Sequence, residues 1–292
     1  MFKFIVILLF SSTSIFAADP ETIIFSFQKQ KNPDELQSAT QAVSEYLSKK
    51  IGKKVDVVVP TSYGATVQGL ISDKVHIAYM DSLPFILASS EIPLEIIAVE
   101  KRKGRTEYDS LIVVGKESKI QTIKDLKGKK IAFSSQTSTS GFLFPVSHLV
   151  EQNQIKKHED LNQYFSQVIY AGGYDKALLA VANGQSDVAA FSDYAFEGPK
   201  ADLYGTAEIR SKVRILARIS GVPTHLIASS KKLSPDLIKK IQTALLELAK
   251  DKPELLSSVY GAAELIKPNA KHVDKTRVAL KKTGLEVQAF VK

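Results

Sequence analysis

The sequence has no cysteine. A disulfide framework and a thiolate metal site are therefore excluded. A lipid anchor carried on a cysteine thiol is excluded too. Long apolar runs are also missing: beyond the N-terminus, no stretch reaches the roughly 20 residues that a helix needs to span a bilayer. The five histidines, His76, His148, His158, His225 and His272, lie far apart and lack metal-ligand spacing, so no zinc site is expected. No Walker sequence occurs, Gly172-Gly173 is not a nucleotide fingerprint, and no serine sits in a nucleophile elbow. The sequence calls for no enzyme chemistry, no metal and no cofactor. Acidic residues are the minority, 31 against 39 lysines and arginines, for a net charge of +8. The lysines are spread over turns and helix ends rather than clustered among stacking aromatics, which argues against a nucleic-acid partner. A diffuse positive field does favour anionic solutes.

What is present begins with an export signal. Lys3 supplies a positive start, Phe4 to Phe10 a short apolar run, and Ala17-Ala18 a small-residue cleavage site. Residues 1–18 are read as this signal. The protein that remains is expected to be a soluble, periplasmic one.

After the signal, short apolar strands alternate with helical patterns. Strands are expected at Ile23–Phe27, Val55–Val59 and Val75–Tyr79. Between them, Leu36, Ala39, Val43 and Leu47 recur at helical spacing, and Val67, Leu70 and Ile71 mark a shorter helix. The rhythm restarts near Ile120, with strands at Ile131–Ser134, Val168–Tyr170 and Asp187–Phe191 and helices from about Ser140 and from Tyr174 to Ala182. Alternation of this kind predicts open, mostly parallel sheets covered by helices. Strands at Leu111–Val114 and Val213–Ile219 read as crossovers between two lobes. The expected lobes are 19–115 with 220–292, and 116–219. A helix from Ser234-Pro235 carries the apolar stripe Leu237, Ile241, Leu245 and Leu248, and two more helices follow, at Glu254–Tyr260 and Val273–Lys282. Two lobes joined in this way form a cleft that closes on a ligand.

The chemistry concentrates at Ser138-Thr139-Ser140-Gly141. A strand ends, three hydroxyls follow, and a helix opens. The first N–H groups of a helix lack intrahelical acceptors and carry the positive end of its dipole, which suits an anion. Gly141 is expected to let the backbone approach that ligand. Taken alone, the same hydroxyls also read as ordinary helix caps.

Ser138-Thr139-Ser140-Gly141-Phe142-Leu143, with Pro145 just after, resembles the signature of the periplasmic phosphonate-binding proteins. Other segments resemble that family in the same order along the chain: Pro60-Thr61-Ser62-Tyr63, Val75 to Tyr79, Glu107 to Val113, Ile123 to Phe133, Ala171-Gly172-Gly173-Tyr174-Asp175 and Ala180 to Ala189. The resemblance implies the type II periplasmic-binding-protein fold, an α/β molecule of two lobes, each a mixed, mostly parallel sheet flanked by helices, joined by two crossover strands. It implies a monomer that delivers one small anionic ligand to an ABC permease in the inner membrane. A membrane sensor kinase as partner, or an unrelated small solute on the same scaffold, are the alternatives. It also implies that Ser138, Thr139 and Ser140 bind a tetrahedral head group and that Tyr63 and Tyr108 donate to its oxygens.

Three departures matter. Tyr174 stands where the family commonly has a histidine on the anion. Tyr194 and His225 stand where members that bind aminoethylphosphonate place two carboxylates for its ammonium. The expected ligand is therefore an oxyanion without a cationic tail. Asp81 replaces a small residue at the cleft edge. It reads either as a cap for a helix over Leu83–Ala88, the favoured reading, or as a group facing the ligand.

Overall fold

The computed structural model describes residues 18–27, 33–60, 62–199, 201–260 and 264–287. The expected export signal, up to Ala17, lies outside them. Strand β1 (Thr22–Phe27) leads through α1 (Pro33–Ile51) to β2 (Lys54–Val58), then through α2 (Tyr63–Ile71) to β3 (Ile77–Met80), α3 (Ser82–Ser89) and β4 (Leu94–Lys101). The chain next builds β5 (Glu107–Gly115), β6 (Lys130–Phe133), a turn of π-helix (Thr139–Leu143) that runs into α4 (Phe144–Glu151), α5 (Leu161–Tyr164), β7 (Gln167–Tyr170), α6 (Tyr174–Ala182), β8 (Val188–Ser192), α7 (Ala207–Ser211) and β9 (Val213–Pro223). It ends with β10 (Leu226–Ser230), α8 (Pro235–Asp251), α9 (Pro253–Tyr260), β11 (Glu264–Ile266) and α10 (Asp274–Thr283).

These strands form two sheets, ordered β11-β4-β10-β3-β1-β2 and β7-β6-β8-β5-β9. In the first, β1 to β4 run one way and β10 and β11 the other. In the second, only β5 runs against the rest. Two mixed sheets flanked by helices give the expected α/β, two-lobed architecture, but parallel pairing does not dominate as expected: β10, β11 and β5 bring antiparallel pairs into both sheets.

Burial explains why these segments settle as they do. Ile23, Phe25 and Phe27 of β1 are buried, and so is Ser26 on its opposite face, as in a strand covered on both sides. The α8 stripe Leu237, Ile241, Leu245 and Leu248 is buried as its spacing requires. Its N-cap Ser234 accepts the Leu237 N–H at 3.3 Å and is itself held by Asp19. Strands β4, β10 and β11 were not anticipated; β11 has only three residues. Among the described residues, no helix is long and apolar enough to cross a membrane.

The chain passes between the sheets at residues 102–106 and again at Thr224-His225. The two passages are bonded to each other. Thr224 donates its N–H to Thr106 O at 3.0 Å and its hydroxyl to Glu100 O at 2.6 Å, and Glu100 N–H meets His225 O at 3.0 Å. Strand β5, which the expected boundary at 115/116 would leave with the first lobe, is hydrogen-bonded to β8 and β9 of the second sheet. A third tie lies at the C-terminus. Helix α10 follows β11 of the first sheet yet packs on α4 of the second unit, with a Lys282–Glu151 ion pair at 2.5 Å. Val273 and Leu280 share one apolar cluster with Leu83 of α3 and with Phe142 and Leu149. Helix α10 thus ties the two units together.

Candidate functional site

The hydroxyl-rich turn leaves β6 and enters the π turn. Ser138 caps that turn, its Oγ accepting the Gly141 N–H at 2.9 Å. The wider ring of a π turn closes between Leu143 N–H and Ser138 O at 3.1 Å. Gly141 has a different task from the expected one. A Cβ at this position would collide with the Ser134 side chain and with Ser138 Oγ. The missing side chain admits Ser134, whose hydroxyl bonds Ala190 O at 2.8 Å, rather than a ligand.

Ser140 is the centre of the site. Its carbonyl is held by Ser110 Oγ of β5 at 2.6 Å. Its hydroxyl receives the Tyr108 phenol at 3.3 Å and lies 2.9 Å from the Tyr174 hydroxyl. The Tyr194 ring stands 5.3 Å from that of Tyr108 and 5.9 Å from that of Tyr174, centre to centre, and its hydroxyl is buried. Burial holds the phenols of Tyr108 and Tyr194 well above their ordinary pKa, and burial followed by the Asp81 charge pushes Tyr174 up to about 12. All three therefore keep their protons near neutral pH and are available as neutral donors.

Behind the tyrosines lies a chain of buried charges. His225 Nε2 is 2.6 Å from Asp81 Oδ1, and its Nδ1 is 3.2 Å from Glu100 Oε2. Glu100 is also bound by Arg102, at 2.8 Å to Nε and 3.1 Å to Nη2, and by the Tyr79 hydroxyl at 2.5 Å. The Arg102 guanidinium lies 4.6 Å from the centre of the Tyr194 ring, as a cation over an aromatic face. The His225 ring is parallel to Tyr108 at 6.0 Å and near-parallel to Tyr79 at 5.2 Å. Burial alone would drive His225 to its neutral form, but Asp81 and Glu100 outweigh it and hold its pKa up at about 9. Burial likewise opposes the charge on Glu100, and Arg102 and His225 overcome it, leaving its carboxyl below the ordinary value. Two acids and two bases alternate, so the chain carries no net charge.

The Asp81 helix-cap reading is corrected by this geometry. Asp81 occupies the N-cap position of α3, but its side chain makes no capping bond. It turns to His225 instead. The cap comes from the other lobe: Thr139 Oγ1 accepts the Leu83 N–H at 3.0 Å and lies 3.5 Å from Ser82 Oγ, which meets Thr276 Oγ1 of α10 at 2.7 Å. Both nitrogens of the His225 ring face carboxylates.

The structure thus brings Asp81, Tyr108, Ser140, Tyr174, Tyr194 and His225 into one buried cluster. Ser138 and Thr139 adjoin it, their hydroxyl oxygens accepting backbone N–H groups. Tyr63 opens α2, and its side chain lies outside the described residues. Glu100 and Arg102 were missed. A signal existed: an acid ends the apolar run Ile96 to Val99, and Arg102, two residues on, lies on the same face of the extended chain. Among the described residues, no group of His, Cys, Asp and Glu could hold a metal ion.

A family model described as ABC transporter, phosphonate, periplasmic substrate-binding protein matches residues 25–273. A phosphate-import protein of Mycolicibacterium smegmatis is 27% identical over 231 residues, 77% of this chain and 71% of the relative. The phosphonates-binding periplasmic protein of Escherichia coli is 32% identical over 151 residues, 49% of this chain and 42% of the relative. A solved protein from Prochlorococcus marinus, in complex with methylphosphonate, superposes with a TM-score of 0.77 at 20% identity, covering 91% of this chain and 99% of the other. At that identity the likeness speaks for the fold.

Proposed function

The chain belongs to the family of periplasmic substrate-binding proteins of phosphonate ABC transporters, and from that premise we propose that it captures a small phosphorus oxyanion without a cationic tail between its two lobes. The observation that carries the reading is the convergence of the Tyr108 and Tyr174 hydroxyls on Ser140, beside the buried Tyr194 hydroxyl. Neutral phenols and a serine hydroxyl at a helix opening are suited to tetrahedral oxygens. Ser140, Tyr108, Tyr174 and Tyr194 are the proposed direct donors. Ser138 and Thr139 shape the turn, and Tyr63 completes the set from α2. The protein acts as a monomeric, non-enzymatic carrier for a membrane permease, after export with cleavage near Ala17 and Ala18.

The absence of a cationic tail follows from His225. A ligand ammonium needs carboxylates with capacity to spare. Here Asp81 and Glu100 already share a protonated imidazole between them. An ammonium would have to displace that buried cation or lie beside it, at a cost in like-charge repulsion.

We place the hinge at residues 102–106 and at Thr224-His225, where the chain crosses between sheets, with the lobes otherwise divided as expected. The test is a thermal-shift panel of methylphosphonate, phosphite, phosphate and aminoethylphosphonate, followed by calorimetry. A ligand that binds only the folded protein stabilises it by about 2.7 kcal/mol at a hundred times its dissociation constant. The first three should include the strongest stabiliser. Tight binding of aminoethylphosphonate alone would refute the reading.

A further inference from the structure

We propose that Arg102 is a positioning residue of the ligand site: its guanidinium, anchored on Glu100, holds the Tyr194 ring so that the phenol stands ready for the oxyanion. This rests on the oxyanion reading above. The anchorage starts in the first sheet. The Glu100 side chain of β4 has no exposed surface, and its carboxylate takes Arg102 Nε at 2.8 Å and Nη2 at 3.1 Å. Tyr79 of β3 and His225 of the second passage hold the same carboxylate, at 2.5 and 3.2 Å. The Arg102 backbone is fixed as well, exchanging N–H···O bonds with Arg105 at 2.8 and 2.9 Å. A planar guanidinium gripped by two of its donors has its plane set.

The ring it holds belongs to the other sheet. Tyr194 lies in the short turn Asp193–Ala195 that follows β8, and the centre of its ring is 4.6 Å from the Arg102 guanidinium carbon. The contact therefore joins the start of the first passage to the aromatic cluster of the second unit. Tyr108, Tyr174 and Tyr204 meet the same ring only tilted or by an edge, at 5.3, 5.9 and 6.1 Å between centres. A cation over an aromatic face is stronger than any one such contact where water is excluded, and only 15% of the Arg102 side chain is exposed. Arg102 thus makes the strongest single contact of the ring. Releasing the ring lowers the fraction of molecules with the phenol in place, and the apparent affinity falls by that fraction.

The experiment is calorimetry of the full chain with methylphosphonate, run as a cycle of Arg102→Lys and Tyr194→Phe. Lysine keeps a cation for Glu100 but loses the flat fork over the ring. Arg102→Lys should weaken binding by about 5- to 30-fold, the upper figure matching about 2 kcal/mol for a desolvated cation–aromatic contact. Phenylalanine keeps the ring and removes the hydroxyl, so Tyr194→Phe should weaken binding by about tenfold or more. With the hydroxyl gone there is nothing left to position, and adding Arg102→Lys to Tyr194→Phe should cost less than about twofold. Urea unfolding without ligand should show the same loss from Arg102→Lys in both backgrounds. A merely structural contact would instead weaken binding equally with or without the hydroxyl. That result, or unchanged affinity in either single variant, overturns the inference and leaves the oxyanion reading in place. Binding of none of methylphosphonate, phosphite and phosphate by the wild type overturns both. Should Arg102→Lys fail to fold, Glu100→Gln with Arg102→Met removes both charges of the pair together, and the same cycle with Tyr194→Phe decides.

Discussion

Thr139→Val tests the most specific contact between the lobes. The substitution keeps the shape and removes the hydroxyl that accepts the Leu83 N–H at 3.0 Å. That N–H belongs to the first turn of α3, where no intrahelical acceptor exists and the N-cap residue Asp81 gives none. In the closed form the valine leaves a buried donor unpaired, a cost of about 1–3 kcal/mol. In an open form the same N–H is solvated and the cost vanishes. The closing equilibrium should therefore shift against closure by about 5- to 150-fold, and the dissociation constant should weaken by the same factor. The factor should be equal for phosphite, phosphate and methylphosphonate when Thr139 acts through the Leu83 N–H alone. Thr139→Ser should restore wild-type affinity. Calorimetry over the three ligands checks this. Unchanged affinity would remove the inter-lobe cap as a source of binding energy. A loss that differed strongly among the ligands would reassign Thr139 to the head group.

Three further outcomes follow from the buried charges and the turn. Glu100→Gln strips the shared acid from between His225 and Arg102 and should cost about 3–5 kcal/mol in urea unfolding; a loss below 1 kcal/mol would mean the chain of ions is not coupled. His225 has its pKa raised to about 9 from 6.5, so its contribution is complete below pH 6.5 and is lost as pH rises through 9. The unfolding free energy from urea titrations should drop over that window by roughly 3 kcal/mol in wild type and stay level in His225→Gln. Gly141→Ala should cost about 1–3 kcal/mol by overpacking against Ser134, read from the melting temperature without ligand; a silent substitution would show that the turn yields easily.

Much of the fold was legible because its signals are local. The α8 stripe with its Ser234-Pro235 start and the α6 bounds follow from spacing and caps within one segment. What escaped depends on distant partners. Nothing in Val99-Glu100-Lys101-Arg102 says that the acid will meet His225, 125 residues away. Nothing near Asp81 says that its helix will be capped by Thr139 and leave the carboxylate for an imidazole. The same limit applied to Gly141, where a glycine beside hydroxyls reads equally as room for a ligand or for Ser134. Sequence pointed to the turn and the tyrosines, and only packing showed that Thr139 bonds the Leu83 N–H and that His225 lies between Asp81 and Glu100.

The crowding of aromatic rings around Ser140 has an optical consequence. The chain has ten tyrosines and no tryptophan. Half of those tyrosines, Tyr79, Tyr108, Tyr174, Tyr194 and Tyr204, lie in the stacked cluster with His225. Their emission is not drained to an indole. Any ligand that enters between the Tyr174 and Ser140 hydroxyls changes the surroundings of several emitters at once. The unlabelled protein thus carries its own fluorescent gauge of whether the cleft is filled.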